Sequence, residues 1–233
     1  MDRWYRETVL DGRWKTDIER RLRPVGVNLR RSGVTADRLT ATGLVMAVGA
    51  AVAIANGALR AGFVLLLLTA LPDALDGAVA KAAGTAGPRG AFFDSVADRV
   101  SDALLLGGVA WYLASAKGGH AALLPFAVLA ASMLISYQRA KAESLGFNAR
   151  GGLMERAERT IALAFGLLFD SLLMPVLWVM LVLTLVTAVQ RFAKVWRQAS
   201  VPRPEPVFQR WRGRRVARPT ERVWRRRGRM SRP

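Results

Sequence analysis

The chain has 233 residues, 52% of them hydrophobic, and a formal net charge of +18. Cysteine is absent and His120 is the one histidine, which excludes disulfides, thiol nucleophiles and Cys- or multi-His metal sites. Any metal must therefore be held by oxygen ligands, and 35 Lys+Arg against 17 Asp+Glu calls for an anionic partner, nucleic acid or phospholipid.

Residues 1–35 carry a net charge of +4. Within residues 2–24, Leu10, Trp14, Ile18 and Leu22 recur four apart with charges between them. That spacing predicts an amphipathic helix, either lying in the membrane interface with Trp4 and Trp14 at headgroup level or packed on its own protein. The segment is too polar to hold the apolar core of a secretory signal peptide.

Six helices are predicted next, at about 35–58, 61–82, 90–116, 119–146, 153–170 and 171–196. Three contain long uncharged runs: Leu39–Leu59 of 21 residues, Gly118–Gln138 of 21 and Ser171–Gln190 of 20. About 20 apolar residues cross a bilayer core, and none of these runs shows the polar stripe of a soluble helix. The other three runs, Ala61–Pro72, Ala103–Ala116 and Thr160–Phe169, have only 12, 14 and 10 residues. Each can span only if charged neighbours enter the membrane: Asp73 and Asp76, then Asp94, Asp98 and Asp102, then Arg156 and Arg159. Such charges normally face a polar cavity or a partner, so the missing apolar length itself points to a site. The last two helices need a tight connection near Asp170–Pro175.

Lys81, Arg89, Arg139, Lys141, Arg150, Arg156 and Arg159 fall on one set of connections, Arg60 and Lys117 on the other. The positive-inside rule makes the first set cytoplasmic, together with both termini. Residues 197–233 hold 13 Arg and no Lys, with Pro202, Pro204, Pro206 and Pro219 among them. This tail is expected to be disordered and to tether to the anionic leaflet rather than to bind nucleic acid. The organisation is thus an interfacial segment (1–34), a six-helix membrane domain (35–196) and a basic tail (197–233), all-α throughout.

The chemistry concentrates at Asp73, Asp76, Asp94 and Asp98. The first pair is three apart and the second four, so each shares a helix face, and two antiparallel helices can bring all four together. Four carboxylates repel unless cations join them, and oxygen-only ligation suits two Mg²⁺ or Mn²⁺ ions acting on phosphoryl chemistry. Gly77, Ala80 and Gly90 keep the face open for close approach, with Lys81 and Arg89 beside it to hold phosphates.

This pattern resembles the signature of the CDP-alcohol phosphotransferase family: Asp73, Asp76, Gly77, Ala80, Gly90, Asp94 and Asp98 fall at its fixed positions. Lys81 departs from it, standing where the family usually has Arg and lacking the planar fork. The resemblance implies six transmembrane helices with an N-terminal interfacial helix, usually as a homodimer in the cell membrane. It implies Asp73, Asp76, Asp94 and Asp98 as metal ligands, with Asp98 also the general base. Gly77 and Lys81 would line the CDP-diacylglycerol site, as would Asp37, Arg38, Leu39 and Thr40, which match a family stretch touching the nucleotide.

A narrower resemblance covers roughly residues 30–196. The stretches around Ser136–Glu143, Gly151–Arg159 and Val186–Arg191 are similar to the phosphatidylinositol phosphate synthases of actinobacteria. There, basic residues bind the phosphate of inositol phosphate, and the matching positions are Arg139, Arg159 and Arg191. At Arg139 those relatives often carry Lys and at Lys141 Arg, as though exchanged. Each of the three arginines ends a different predicted helix on the cytoplasmic side, and an uncharged acceptor would not need them. Glycerol 3-phosphate is the alternative acceptor of similar charge, and phosphatidylglycerol, as in a cardiolipin synthase, another. A non-catalytic transporter or scaffold is the reading from a different class, and metal-dependent CMP release separates it from an enzyme.

Overall fold

The computed structural model describes residues 35–69 and 87–200. The predicted interfacial helix, Asp73, Asp76, Gly77, Lys81 and the basic tail beyond residue 200 lie outside the described residues. The chain divides into two compact units, Met1–Val195 and Trp196–Pro233, and the packing and site described below belong to the first.

Helix α1 is Ala36–Ala55. Thr35 caps it from an extended conformation, its side chain accepting from the Arg38 N–H, and Asp37 in the first turn complements the helix dipole. It ends in a Schellman turn: Gly57 N–H donates to the Ile54 carbonyl and Ala58 N–H to that of Ala53, both at 2.9 Å, with Gly57 at φ 79°. Helix α2 follows at once, over Leu59–Thr69. Helix α3, Pro88–Lys117, starts with Pro in the first turn and ends at Gly118. The prediction began the next helix at 119. Gly118 and Gly119 both take positive φ, which makes a turn there, and α4 runs Leu123–Ser144. A second Schellman turn closes it, Phe147 N–H to Ala142 and Gly146 N–H to Glu143.

Helix α5 is Arg156–Leu168 and α6 is Asp170–Ala199. The predicted connection near Asp170–Pro175 is thus a break at Phe169, which turns extended (φ −119°, ψ 93°) for one residue. Pro175 lies inside α6, five residues after its start, where the missing N–H removes one i→i−4 bond. Among the described residues, α1, α4 and α6 are long and apolar enough to cross a membrane. At about 1.5 Å per residue the 13 residues of α5 reach only about 20 Å.

Helix α1 packs on α3, and α3 on α4. Buried Ala47, Ala50, Ala51 and Ile54 recur at three- and four-residue steps along α1 and form the face it turns inward. Small residues set this crossing: a Cβ on Gly108 would lie 2.6 Å from the Ala51 carbonyl oxygen. The core gathers Ile54, Leu66, Val109, Val128, Leu167 and Leu177, one from each helix. Outward faces stay apolar, with Val45, Trp111, Ile161, Trp178 and Val182 exposed, as lipid contact requires.

Gly108→Ala is expected to force α1 from α3 and cost about 1–3 kcal/mol. Thermal unfolding in detergent should show a lower midpoint for this variant, whereas Gly107→Ala, which meets nothing within 4 Å, should unfold near the wild type.

Candidate functional site

The first half of α3, the last turns of α4, the first turn of α5 and the last turns of α6 carry the charged residues. They are joined by an alternating series of ions. Arg156 Nη1 lies 2.8 Å from Asp98 Oδ1, and its Nε lies 3.8 Å from Asp102 Oδ1. The other Asp102 oxygen accepts from Arg159 Nη2 at 2.9 Å. Asp98 also faces Arg99 at 3.5 Å, and Arg99 donates in turn to the Ser136 hydroxyl, tying α3 to α4. The Arg159 side chain is only 6% exposed and that of Asp102 12%. A guanidinium that far from water is tolerable only with a carboxylate against it.

A second network surrounds Arg191 on α6. Its Nε donates to the Gly151 carbonyl at 3.1 Å, Nη1 to the Ile135 carbonyl at 3.0 Å and Nη2 to Glu155 Oε1 at 2.8 Å. The same Glu155 oxygen accepts from the Gly151 N–H. One turn earlier, the Thr187 hydroxyl accepts from the Met154 N–H, and nearly one turn later Lys194 donates to the Arg150 carbonyl. One face of α6 thereby holds the later part of the α4–α5 connection, residues 150–155. Gly152 makes this possible: a Cβ there would lie 2.4 Å from Thr187 Cγ2, and its φ of 152° suits only glycine.

Of the three arginines that the sequence singled out, Arg159 and Arg191 are buried, while Arg139 is half exposed and paired to Glu143 at 3.1 Å. Arg191 donates to the Ile135 carbonyl, one turn before Arg139 on α4, and to Glu155, while Arg159 donates to the carbonyl of the neighbouring Met154. The structure therefore gathers three guanidinium groups, two of them held from behind by Asp102 and Glu155. Those two acids were not selected as site residues from the sequence. Asp102 was nevertheless legible as the third member of the four-residue spacing Asp94, Asp98, Asp102, and Glu155 sits in the run from which Arg159 was selected.

Asp94 and Asp98 lie one turn apart on α3, both partly buried. Among the described residues no group of three or more acids or histidines could hold a metal ion. Two carboxylates on one helix face fit a hard divalent cation by donor type, and Asp73 and Asp76, the other expected ligands, lie outside the described residues. Near the start of α1, Asp37 is bridged to Arg89 of α3 at 3.4 Å, with both side chains at least half exposed. Arg38 is exposed, Leu39 and Thr40 are half buried, and the Thr40 hydroxyl donates to the Ala36 carbonyl.

The CDP-alcohol phosphatidyltransferase family model matches residues 33–190. The chain is 36% identical over 180 residues to the phosphatidylinositol phosphate synthase of Mycobacteroides abscessus, covering 74% of this chain and 82% of that protein. It is also 36% identical over 174 residues to the archaetidylinositol phosphate synthase of Methanothermobacter thermautotrophicus, covering 72% and 86%. The fold is similar to the crystal structure of Mycobacterium tuberculosis phosphatidylinositol phosphate synthase with CDP-DAG bound. The TM-score is 0.73 at 31% identity, over 80% of this chain and all of that one. A structure of the same mycobacterial protein in complex with manganese and citrate matches with a TM-score of 0.69 at 31% identity, over 75% of this chain and 88% of that one.

Glu155→Ala would leave the Arg191 charge buried without its carboxylate, at a cost of about 3 kcal/mol. Glu155→Gln keeps an oxygen for the Arg191 and Gly151 donors and should cost less. Thermal unfolding in detergent, with limited proteolysis of the 145–155 connection, would check the order wild type, Glu155→Gln, Glu155→Ala.

Proposed function

The chain belongs to the CDP-alcohol phosphatidyltransferase family, and we propose that it transfers the phosphatidyl group of CDP-diacylglycerol to a hydroxyl of inositol phosphate. The products are phosphatidylinositol phosphate and CMP. The observation that carries the acceptor assignment is the gathering of Arg139, Arg159 and Arg191 at the end of the fold where Asp98 lies. Two of these cations are buried and held in place by acids, an arrangement suited to an anionic ligand with little reorganisation.

The residues divide the work. Arg159 and Arg191, with Arg139 at the exposed side, receive the acceptor phosphate and orient the sugar. Asp98 takes the proton from the attacking hydroxyl. The hydroxyl oxygen then bonds to the β-phosphorus, the diphosphate bond breaks, and CMP leaves with the bridging oxygen. Asp37, Arg38, Leu39, Thr40, Gly77 and Lys81 line the nucleotide side. Asp73, Asp76, Asp94 and Asp98 would hold Mg²⁺ or Mn²⁺, two ions per site, which when bound neutralise the diphosphate and the charge developing on CMP. The manganese-bound relative supports a metal of this kind.

The protein is a membrane protein by its three long apolar helices. In our reading all six helices cross, an amphipathic segment precedes them, both termini and the site face the cytoplasm, and the unit is a homodimer. The apolar outer faces and the clustering of Lys and Arg at the site end support that topology.

Purified protein given CDP-diacylglycerol and one acceptor at a time should release CMP with inositol phosphate and far less with glycerol 3-phosphate or phosphatidylglycerol. Chelation of divalent cations should stop release. Equal rates with glycerol 3-phosphate would overturn the acceptor assignment. Asp98→Asn should abolish transfer while the protein still inserts and folds, and turnover near that of the wild type would remove Asp98 as the base.

A further inference from the structure

The acceptor reading leaves Asp102 without a task, although it is among the better-buried acids of the site. It lies one turn beyond Asp98 on α3, on the same face. Its two oxygens point to two arginines of α5, one at 2.9 Å from Arg159 and one at 3.8 Å from Arg156. Arg159 has a second tie, Nη1 to the Met154 carbonyl at 3.4 Å. Both bonds use terminal nitrogens and take two of the five guanidinium donors, so the group is oriented yet keeps donors to spare.

The cavity against Asp102 and Arg159 has a volume of about 20 Å³ and is walled by Leu105, Leu106, Leu163 and Met180. That is room for about one water. Lysine at this place would lack the flat fork that lets one edge bind a carboxylate while another faces a ligand.

We infer that Asp102 is a positioning residue for the acceptor site: it fixes the guanidinium plane of Arg159 from α3 so that the remaining donors meet the acceptor phosphate. This rests on the acceptor reading above. Asp102 touches neither substrate; it acts through Arg159. Because Asp102 shares α3 with Asp94 and Asp98, the acceptor phosphate is held in register with the carboxylates that serve the donor.

The test compares wild type, Asp102→Asn, Arg159→Gln and the double variant as full-length protein in detergent, following CMP release with inositol phosphate varied and then CDP-diacylglycerol varied. Asp102→Asn should raise KM for inositol phosphate about tenfold and change KM for CDP-diacylglycerol less than about twofold. The double variant should be no worse in acceptor KM than Arg159→Gln alone, since the two residues act as one unit. An equal rise in both KM values, a loss confined to kcat, or additive effects in the double variant each overturns the inference. An unchanged acceptor KM in Arg159→Gln overturns the acceptor reading with it. A rise in Arg159→Gln but none in Asp102→Asn overturns the inference alone. If size-exclusion profiles show that Asp102→Asn does not fold, Asp102→Glu takes its place, because it keeps the charge balance and displaces only the carboxylate. Calorimetric titration with inositol phosphate should then show weakened binding, and wild-type affinity overturns the inference.

Discussion

The cost of keeping ions away from water governs this molecule. Arg159 and Arg191 are each almost fully buried, one against Asp102 and the other against Glu155 and two carbonyls. Breaking either pair would leave a charge that the apolar surroundings cannot solvate, so three helices are held in one arrangement by the requirement of charge balance. The same requirement is what a binding site needs. A cation already desolvated and oriented gives up little when an anion arrives.

Packing decides how those ions meet. The approach of α1 to α3 depends on Gly108 lying against the Ala51 backbone, and the α4–α5 connection depends on Gly152 lying against Thr187. In both places the missing Cβ is what permits the distance. The short helix α5 is consistent with this economy: it begins in the charged cluster, and its apolar part ends at Phe169, where the chain turns into α6. Its shortfall in apolar length is the length given to Arg156 and Arg159.

Much of the architecture was legible from charge spacing. The runs bounded by Arg38 and Arg60, by Lys117 and Arg139, and by Asp170 and Arg191 contain most of α1, α4 and α6, because a membrane-crossing helix excludes charge over a set length. The connection between α5 and α6 was placed a few residues late. Pro175 reads as a breaker, yet α6 runs through it from Asp170 to Ala199, losing one i→i−4 bond.

By itself the sequence determined the helical class, the oxygen-only character of any metal site and the family signature, since each depends on residue type and local spacing. It also marked Arg139, Arg159 and Arg191 as members of one group. Only the tertiary structure decided that Asp102 answers Arg159, 57 residues away, and that Glu155 answers Arg191, 36 residues away. It also decided that Arg139 stays at the exposed side. Pairings at such separations are set by how α3, α5 and α6 pack, and no periodicity along the chain encodes which acid will face which arginine.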